Sequence, residues 1–320
     1  MIRTPLCDLL GIEHPILLAG MGGVSYAAVT AAVSEAGGLG CLGAAAMRHD
    51  EMKREIEEVK RRTAKPFGVD LLTASPRDMV PLVETICAAG ARVFVAGLGV
   101  PATVVDLCHR NGLLVINMCG KVSHAIRAVE AGCDIVVAQG TEAGGHTGQV
   151  ATMPLVPMIV DAVKVPVLAA GGIFDGRGLV AALALGAQGI WMGTRFIAST
   201  EARAHEAYKR RILDTDEAGT VVTRAYSGKT LRAIRTRYTD EWEGRREEIQ
   251  PFPMQLARAT QDGVWHIVEG PEAGLEPERD CMPAGQSAGG ITAVKPCSAI
   301  IRDIVAQAEA VLASLPRPAS

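Results

Sequence analysis

The sequence predicts an α/β fold: a (β/α)8 TIM barrel with a smaller inserted subdomain near the C-terminus. Eight short apolar runs are read as strands, at Ile16–Ala19, Gly38–Leu42, Phe67–Leu71, Val93–Ala96, Leu114–Met118, Ile135–Ala138, Val167–Ala170 and Gly189–Met192. Their starts lie 21 to 32 residues apart, which leaves room for one helix after each. The runs are continuously apolar rather than alternating, as in parallel strands covered on both faces. Repeated β-α units of this size close into a barrel. A doubly wound open sheet is the competing reading, but it usually holds five or six strands, about two too few.

The helices between the runs carry readable ends. Ser75-Pro76 opens one and Gly90 closes it; Pro101 opens the next, which stops at Asn111-Gly112. Ser123 is read as the cap of another that stops at Gly132, and Asp175 as the cap of one ending at Gly186. These are N-cap, Pro-at-N1 and Gly-at-C′ signals. Ala131–Val137 echoes Leu185–Trp191 as helix end, tight turn and strand, a shared building unit and not a solenoid repeat.

Beyond Met192 the texture changes. Glu201–Asp214 reads as a charged helix, Thr220–Tyr238 as β-prone and arginine-rich, and 249–285 as scattered Pro, Gly and aromatics including Trp265 and His266. Residues 208–283 are therefore expected to form the inserted substrate or lid subdomain, with 1–207 and 284–320 as the barrel. The last helix, Cys297 to Leu315, shows barrel-type amphipathic spacing at Ile300, Ile301, Ile304, Val305 and Val311.

Composition narrows the function. Of 320 residues, 48% are hydrophobic and 21% charged, which suits a large core and argues against disorder. A net charge of −3 disfavours nucleic acid or an anionic membrane as partner. Aromatics at 4% disfavour a stacking platform for single strands. The most apolar stretch, Met153–Ala170, contains Asp161, Lys164 and three prolines, so no membrane span is expected. Asp8 and Glu13, with no basic n-region, argue against a signal peptide. None of the eight cysteines forms a Cys-x-x-Cys pair, so no metal site is expected. A reduced cytoplasmic protein is the simplest reading. The expected partner is a small-molecule substrate, and the oligomeric expectation is a homodimer.

Barrel active sites lie where strands end. After the first strand come Gly20, Met21, Gly22 and Gly23; at the end of the third comes Asp70; after the fifth, Lys121. Gln139 follows the sixth, leading into Gly144, Gly145, His146 and Gly148; Gly171-Gly172 and Gly193-Thr194 follow the seventh and eighth. These residues, far apart in sequence, fall on one rim. The last two loops are where barrels often bind phosphate through backbone N–H groups, although tight turns also select glycine. Lys121 is a candidate cation for a phosphate or for the polar edge of a flat cofactor. Asp70 and Gln139 are candidates to hydrogen-bond such an edge, with turn capping as the plainer alternative. His146 is the candidate catalytic residue, since its unperturbed pKa lies near neutrality and its flanking glycines favour backbone approach over core packing. His14, His49, His109, His124 and His205 fall before strands or on helices and read as structural; His266 is left open as a cleft residue of the insert. There is no Gly-x-Gly-x-x-Gly after the first strand and no Gly-x-Ser-x-Gly elbow, which disfavours a Rossmann dinucleotide site and an α/β-hydrolase.

With these pieces in place the chain resembles the FMN-dependent nitronate monooxygenases, once called 2-nitropropane dioxygenases, whose relatives include flavin-dependent quinone, enoyl-acyl-carrier-protein and CoA-thioester reductases. The segments that carry the resemblance are His14–Ile16, Gly20-Met21, Ala36–Gly40, Pro66–Val69, Glu142–His146, Ala170–Ile173, Asp175–Gly178, Met192–Phe196 and Ala284–Gln286. They cover about residues 1–200 and return at 284–290; the insert matches far less. The resemblance implies FMN in the barrel mouth, contacted by Gly20, Met21, Gly22, Asp70, Lys121, Gln139, Gly144, Gly145, Gly171, Gly172, Gly193 and Thr194, with Gln286 reaching in from the returning segment. Asp70 departs from the Asn often present in relatives. The activity implied is oxidation of alkyl nitronates with O2, His146 deprotonating the nitroalkane or stabilising the nitronate. One alternative is an NADH- or NADPH-dependent flavin reductase of quinones or enoyl (ACP or CoA) thioesters. An alternative of another class is a non-catalytic barrel binding a phosphorylated metabolite. A Schiff-base aldolase or phosphate isomerase is disfavoured, since Lys121 lies beyond its strand and Glu142 is loosely placed. Arg224, Arg232 and Arg235 of the insert read as a solvated basic face.

Overall fold

The eight apolar runs become eight parallel strands of one sheet. A computed structural model describes residues 2–73, 78–97 and 99–316 of the chain. The barrel strands are β1 (Ile16–Leu18), β2 (Gly40–Gly43), β3 (Phe67–Leu72), β4 (Val93–Gly97), β5 (Leu114–Cys119) and β6 (Ile135–Gln139), then β8 (Val167–Ala170) and β9 (Gly189–Met192). Between them, β7 (Gly145–His146) lies in the loop after β6. The sheet order is β1-β9-β8-β6-β5-β4-β3-β2. It closes on itself where Leu17 bridges Leu39 in parallel, with the Leu39 N–H donating to the Ile16 carbonyl at 3.0 Å and the Leu18 N–H to the Leu39 carbonyl at 2.9 Å.

Side chains alternate across this wall. Leu17, Val93, Val95, Ile116, Ile135, Val137, Leu168 and Trp191 fill the barrel interior. Their sequence neighbours Leu18, Phe94, Val115, Val136, Ala169 and Ile190 pack outward against the helices. The continuous apolar runs thus serve two cores. The wall's N-terminal end is closed by a short helix, Pro5–Leu10, that the sequence reading did not anticipate. Its Leu6, Cys7 and Leu10 join the interior cluster, and the Thr4 hydroxyl donates to the Gln188 carbonyl at 2.6 Å.

The helix ends need two corrections. Ser123 is not an N-cap: the helix runs Val122–Glu130 with Lys121 at the cap, and Ser123 sits inside the first turn. The charged helix expected from Glu201 begins only at Glu206 and runs to Leu213; the His205 ring caps it by accepting the Ala207 N–H at 3.0 Å. Asp175 caps its helix as expected, accepting from the N–H groups of Arg177 and Gly178. The Ser75-Pro76 signal lies outside the described residues. The last helix runs Cys297–Ser314 and packs against Gly176–Ala184, on the barrel wall.

Past the barrel, β10 (Thr220–Thr223) and β11 (Leu231–Ile234) form an antiparallel pair, and β11 also pairs with β7, placing Leu231 opposite His146. This segment has its own small core around Tyr226, Tyr238 and Trp242, with the Tyr226 and Tyr238 rings stacked at 5.2 Å. The boundary expected at 207/208 falls inside the helix Glu206–Leu213. Among the described residues no helix is long and apolar enough to cross a membrane, and no group of three His, Cys, Asp or Glu side chains could hold a metal. All eight cysteines are free, seven of them buried.

Candidate active site

The inward-facing side of each strand predicts the floor of a cavity at the C-terminal end of the barrel. Counting in twos from the interior residues leads to Ala19, Asp70, Gly97, Met118, Gln139, Ala170 and Trp191 as the uppermost inward positions, and all seven line one cavity of about 320 Å³. That volume falls in the range of small-ligand sites, roughly 300–1,000 Å³. The floor is apolar except for Asp70 and Gln139. Its walls are Gly20, Met21 and Gly22 after β1, Gly144, Gly145 and His146 after β6, Gly171 and Gly172 after β8, and Gly193 and Thr194 after β9. Of the residues expected at the site, Lys121 and Gln286 alone stand outside this lining. Lys121 borders an adjacent groove. Gln286 is exposed and gives its backbone N–H to the Glu142 carbonyl at 2.9 Å, while its neighbours Gly285 and Ser287 line the cavity.

The rim loops are shaped by close approach. A Cβ on Gly20 would collide with the Asp70 side chain, so glycine there makes room for the carboxyl. A Cβ on Gly144 would come within 2.7 Å of the Gly285 nitrogen, so that glycine also serves the packing of the returning segment. The Gly285 N–H donates to the Thr194 hydroxyl at 2.9 Å, which leaves the hydroxyl proton free to donate into the cavity. Gly171 and Gly172 take φ of 106° and 73° in succession, a backbone course that other residues rarely follow.

His146 is held from three sides. Its carbonyl accepts from the Gln139 amide Nε2 at 2.9 Å, its backbone lies on the β7–β11 ladder, and its ring Nε2 meets the Ser227 hydroxyl at 3.2 Å. Ser227, 1% exposed, is fixed in turn by the Lys229 carbonyl at 3.2 Å and its N–H at 3.3 Å. With its one proton given to the Lys229 carbonyl, the hydroxyl accepts from the ring, which places the imidazole proton on Nε2 and leaves Nδ1 as the basic nitrogen. Burial, and then the nearby Lys229 ammonium, lowers the pKa of His146 from its usual value. The ring is therefore a neutral base at neutral pH. Burial drives the Asp70 carboxyl well above the usual carboxylate range, and no cation among the described residues opposes it.

Sequence reasoning missed Met118, Gly97 and Trp191, which the period-two parity of the strands would have found. It also missed Ser227, Tyr208, Ile267 and Pro283, which come from the insert and carry no local signal. The insert's arginines behave differently from one another. Arg232 corrects the expected solvated face: it is 7% exposed, and its guanidinium donates to the Thr141 carbonyl at 2.8 Å and the Thr220 hydroxyl at 3.0 Å, tying the His146 loop to the insert. Arg235 is exposed and paired with Asp240, and Arg224 is exposed and donates to the Gly228 carbonyl. His266 stays out of the cavity, its Nδ1 paired with the buried Asp280 at 2.8 Å. Glu142 is tied down by the Thr152 hydroxyl at 2.8 Å and the Thr152 N–H, a loop-fixing role.

Known proteins align with this arrangement. A family model described as nitronate monooxygenase matches residues 3–83 and 77–307. A Mycobacterium tuberculosis protein named (3aS,4S,5R,7aS)-5-hydroxy-7a-methyl-1-oxo-octahydro-1H-indene-4-carboxyl-CoA dehydrogenase is 43% identical over 245 residues, covering 76% of this chain and 69% of that one. A probable nitronate monooxygenase of Staphylococcus aureus (strain JH9) is 34% identical over 298 residues, covering 79% of this chain and 84% of its own. The solved structure of FabK from Thermotoga maritima superposes with a TM-score of 0.89 at 39% identity, over 98% of both chains.

Proposed function

The chain belongs to the nitronate monooxygenase family, and from that membership we propose that it is an FMN-dependent oxidoreductase that oxidises alkyl nitronates with O2 at the barrel mouth. The observation that carries the reading is His146, a half-buried imidazole of lowered pKa positioned by Ser227 and Gln139 on the wall of a largely apolar cavity. The cavity's residues suit a flavin. The apolar floor of Met118, Ala170 and Trp191 offers a face for a ring system, and Asp70 and Gln139 offer polar groups for its edge. The loops at Gly171-Gly172 and Gly193-Thr194 occupy the usual phosphate position of barrels. Gly20, Met21, Gly22, Gly144 and Gly145 would complete the contacts. FMN bound there would supply reversible acceptance of a hydride or a single electron.

His146 then handles the proton. As a neutral base it can take the proton from the carbon beside a nitro group, or hold the anion so formed once protonated. Its lowered pKa keeps the free base present through neutral pH. Burial raises the pKa of Asp70 and so favours its protonated form, which can donate a hydrogen bond where a carboxylate could only accept one.

A second reading is favoured by the names of two relatives, the CoA-thioester dehydrogenase and FabK. In it the same cavity and the same histidine act on an acyl thioester, with a nicotinamide cofactor as electron source. Anaerobic mixing of the yellow protein with an alkyl nitronate, and separately with NADH or NADPH, separates the two. Fast bleaching of the flavin band by nitronate alone is expected. Bleaching by nicotinamide alone would replace the first reading with the second, and a colourless protein that takes up no FMN would overturn both.

A further inference from the structure

Beside the cavity runs an open groove of about 670 Å³ that shares Met118, Gln139 and His146 with it. Its far wall is cationic. Lys121, His124 and Arg127 come from the helix after β5, and Lys229 from the turn before β11. Among the described residues no carboxylate lines it, although the chain as a whole carries a net charge of −3. Lys121 and Arg127 are both exposed and lie close enough to His124 to lower its pKa together with burial. Lys229 acts in the same direction on His146, and its ammonium sits 4.4 Å from the centre of the Phe252 ring, which holds it beside the groove. Like charges gathered around a concave surface repel one another unless an anion sits among them, and such a concavity concentrates anions from solution. Phosphate groups match this donor set: a guanidinium fork, two ammonium groups and an imidazole.

We propose that this groove is a subsite for the phosphorylated tail of a substrate whose reacting end lies at His146. The inference rests on the reading of the neighbouring cavity as the reaction site. Two sources share that chemistry, the phosphopantetheine-type tail of an acyl thioester and the diphosphate of a nicotinamide dinucleotide. A free small nitronate would leave the groove empty. Lys121 and Arg127 lie on an exposed helix face, so their replacement does not threaten the fold.

The test is isothermal titration of the purified holoprotein with coenzyme A, 3′,5′-ADP and NADPH, repeated for the Lys121→Ala and Arg127→Ala single variants and the double variant. Each lost cation is expected to weaken binding about tenfold, the size of a charge-assisted hydrogen bond. The double variant should bind about a hundredfold more weakly, and the wild-type affinity should fall as salt rises. Binding of coenzyme A and 3′,5′-ADP supports the subsite with a thioester source. Binding of NADPH alone supports it with a dinucleotide source. Absence of binding by all three probes, or affinities unchanged in the double variant, overturns the proposal. The heat signal does not depend on flavin colour. Bleaching by nitronate with no probe binding would therefore sink the subsite and leave the cavity reading standing, whereas a flavin-free protein would sink the cavity reading.

Discussion

His146 and Asp70 were legible for different reasons. His146 stood out because three glycines flank it in a loop after an apolar run, a composition that suits approach to a ligand better than packing. What fixes its ring was not legible, since Ser227 lies 81 positions away and reaches it only through the β7–β11 ladder. Asp70 is marked by its place at a strand end, yet the direction of its pKa depends on the burial that the folded barrel imposes. Its raised pKa sets a direction for stability. Above about pH 4 the carboxyl ionises freely in the unfolded chain, while burial holds its proton to a higher pH in the folded protein. Folding then takes up a proton, so stability falls as pH rises from that point to the folded pKa. Asp70→Asn removes this dependence. Thermal melts should show the variant gaining on the wild type at pH 8 and losing that advantage toward pH 4. An advantage of equal size at both pH values would contradict the neutral Asp70.

Elements were legible where one local signal decides them. All eight barrel strands lie within about two residues of their apolar runs, because continuous burial on both faces leaves little else for such runs to do. Asp175 capped as expected because an aspartate can close two N–H groups at once. Ser123 misled because serine resembles a cap whether it sits at the cap or two positions later. The helix Pro5–Leu10 was overlooked because six residues hold too little periodicity; its apolar side makes sense only once a barrel end needs closing. The contact between Gly176–Ala184 and Cys297–Ser314 gives an element-scale prediction. A Cβ at Gly176 would collide with the backbone of Ile304 and Ala308. Gly176→Ala should therefore destabilise the protein by about 1–3 kcal/mol, the usual cost of overpacking, as measured by urea unfolding. An unchanged midpoint would show that the C-terminal helix is free to shift.

In the whole molecule the barrel supplies the floor of the cavity, and the segment around Ser227 and Leu231 supplies the setting of His146. The floor was available in principle from strand parity, since every second residue from Leu17, Val137 or Trp191 faces inward and the last such residue meets the cavity. The segment after the barrel strands shows in sequence only as a change of composition, because β11 pairs with the β7 loop and not with a continuing β-α repeat. Arg232 shows why this matters. It reads as a surface charge in sequence, yet it is buried as the strap between Thr141 and Thr220 that keeps the His146 loop against the insert. In the proposed function these parts act together, with a flavin on the barrel floor and His146 as the group that moves the substrate proton. Stopped-flow reduction of the flavin under anaerobic conditions, comparing wild type with His146→Ala and supplying neutral nitroalkane or preformed nitronate, tests it most directly. The variant is expected to lose about 10²- to 10⁴-fold in bleaching by the neutral nitroalkane, the range of general base catalysis, while much of its reaction with nitronate survives. Equal bleaching of variant and wild type by the neutral nitroalkane would contradict it.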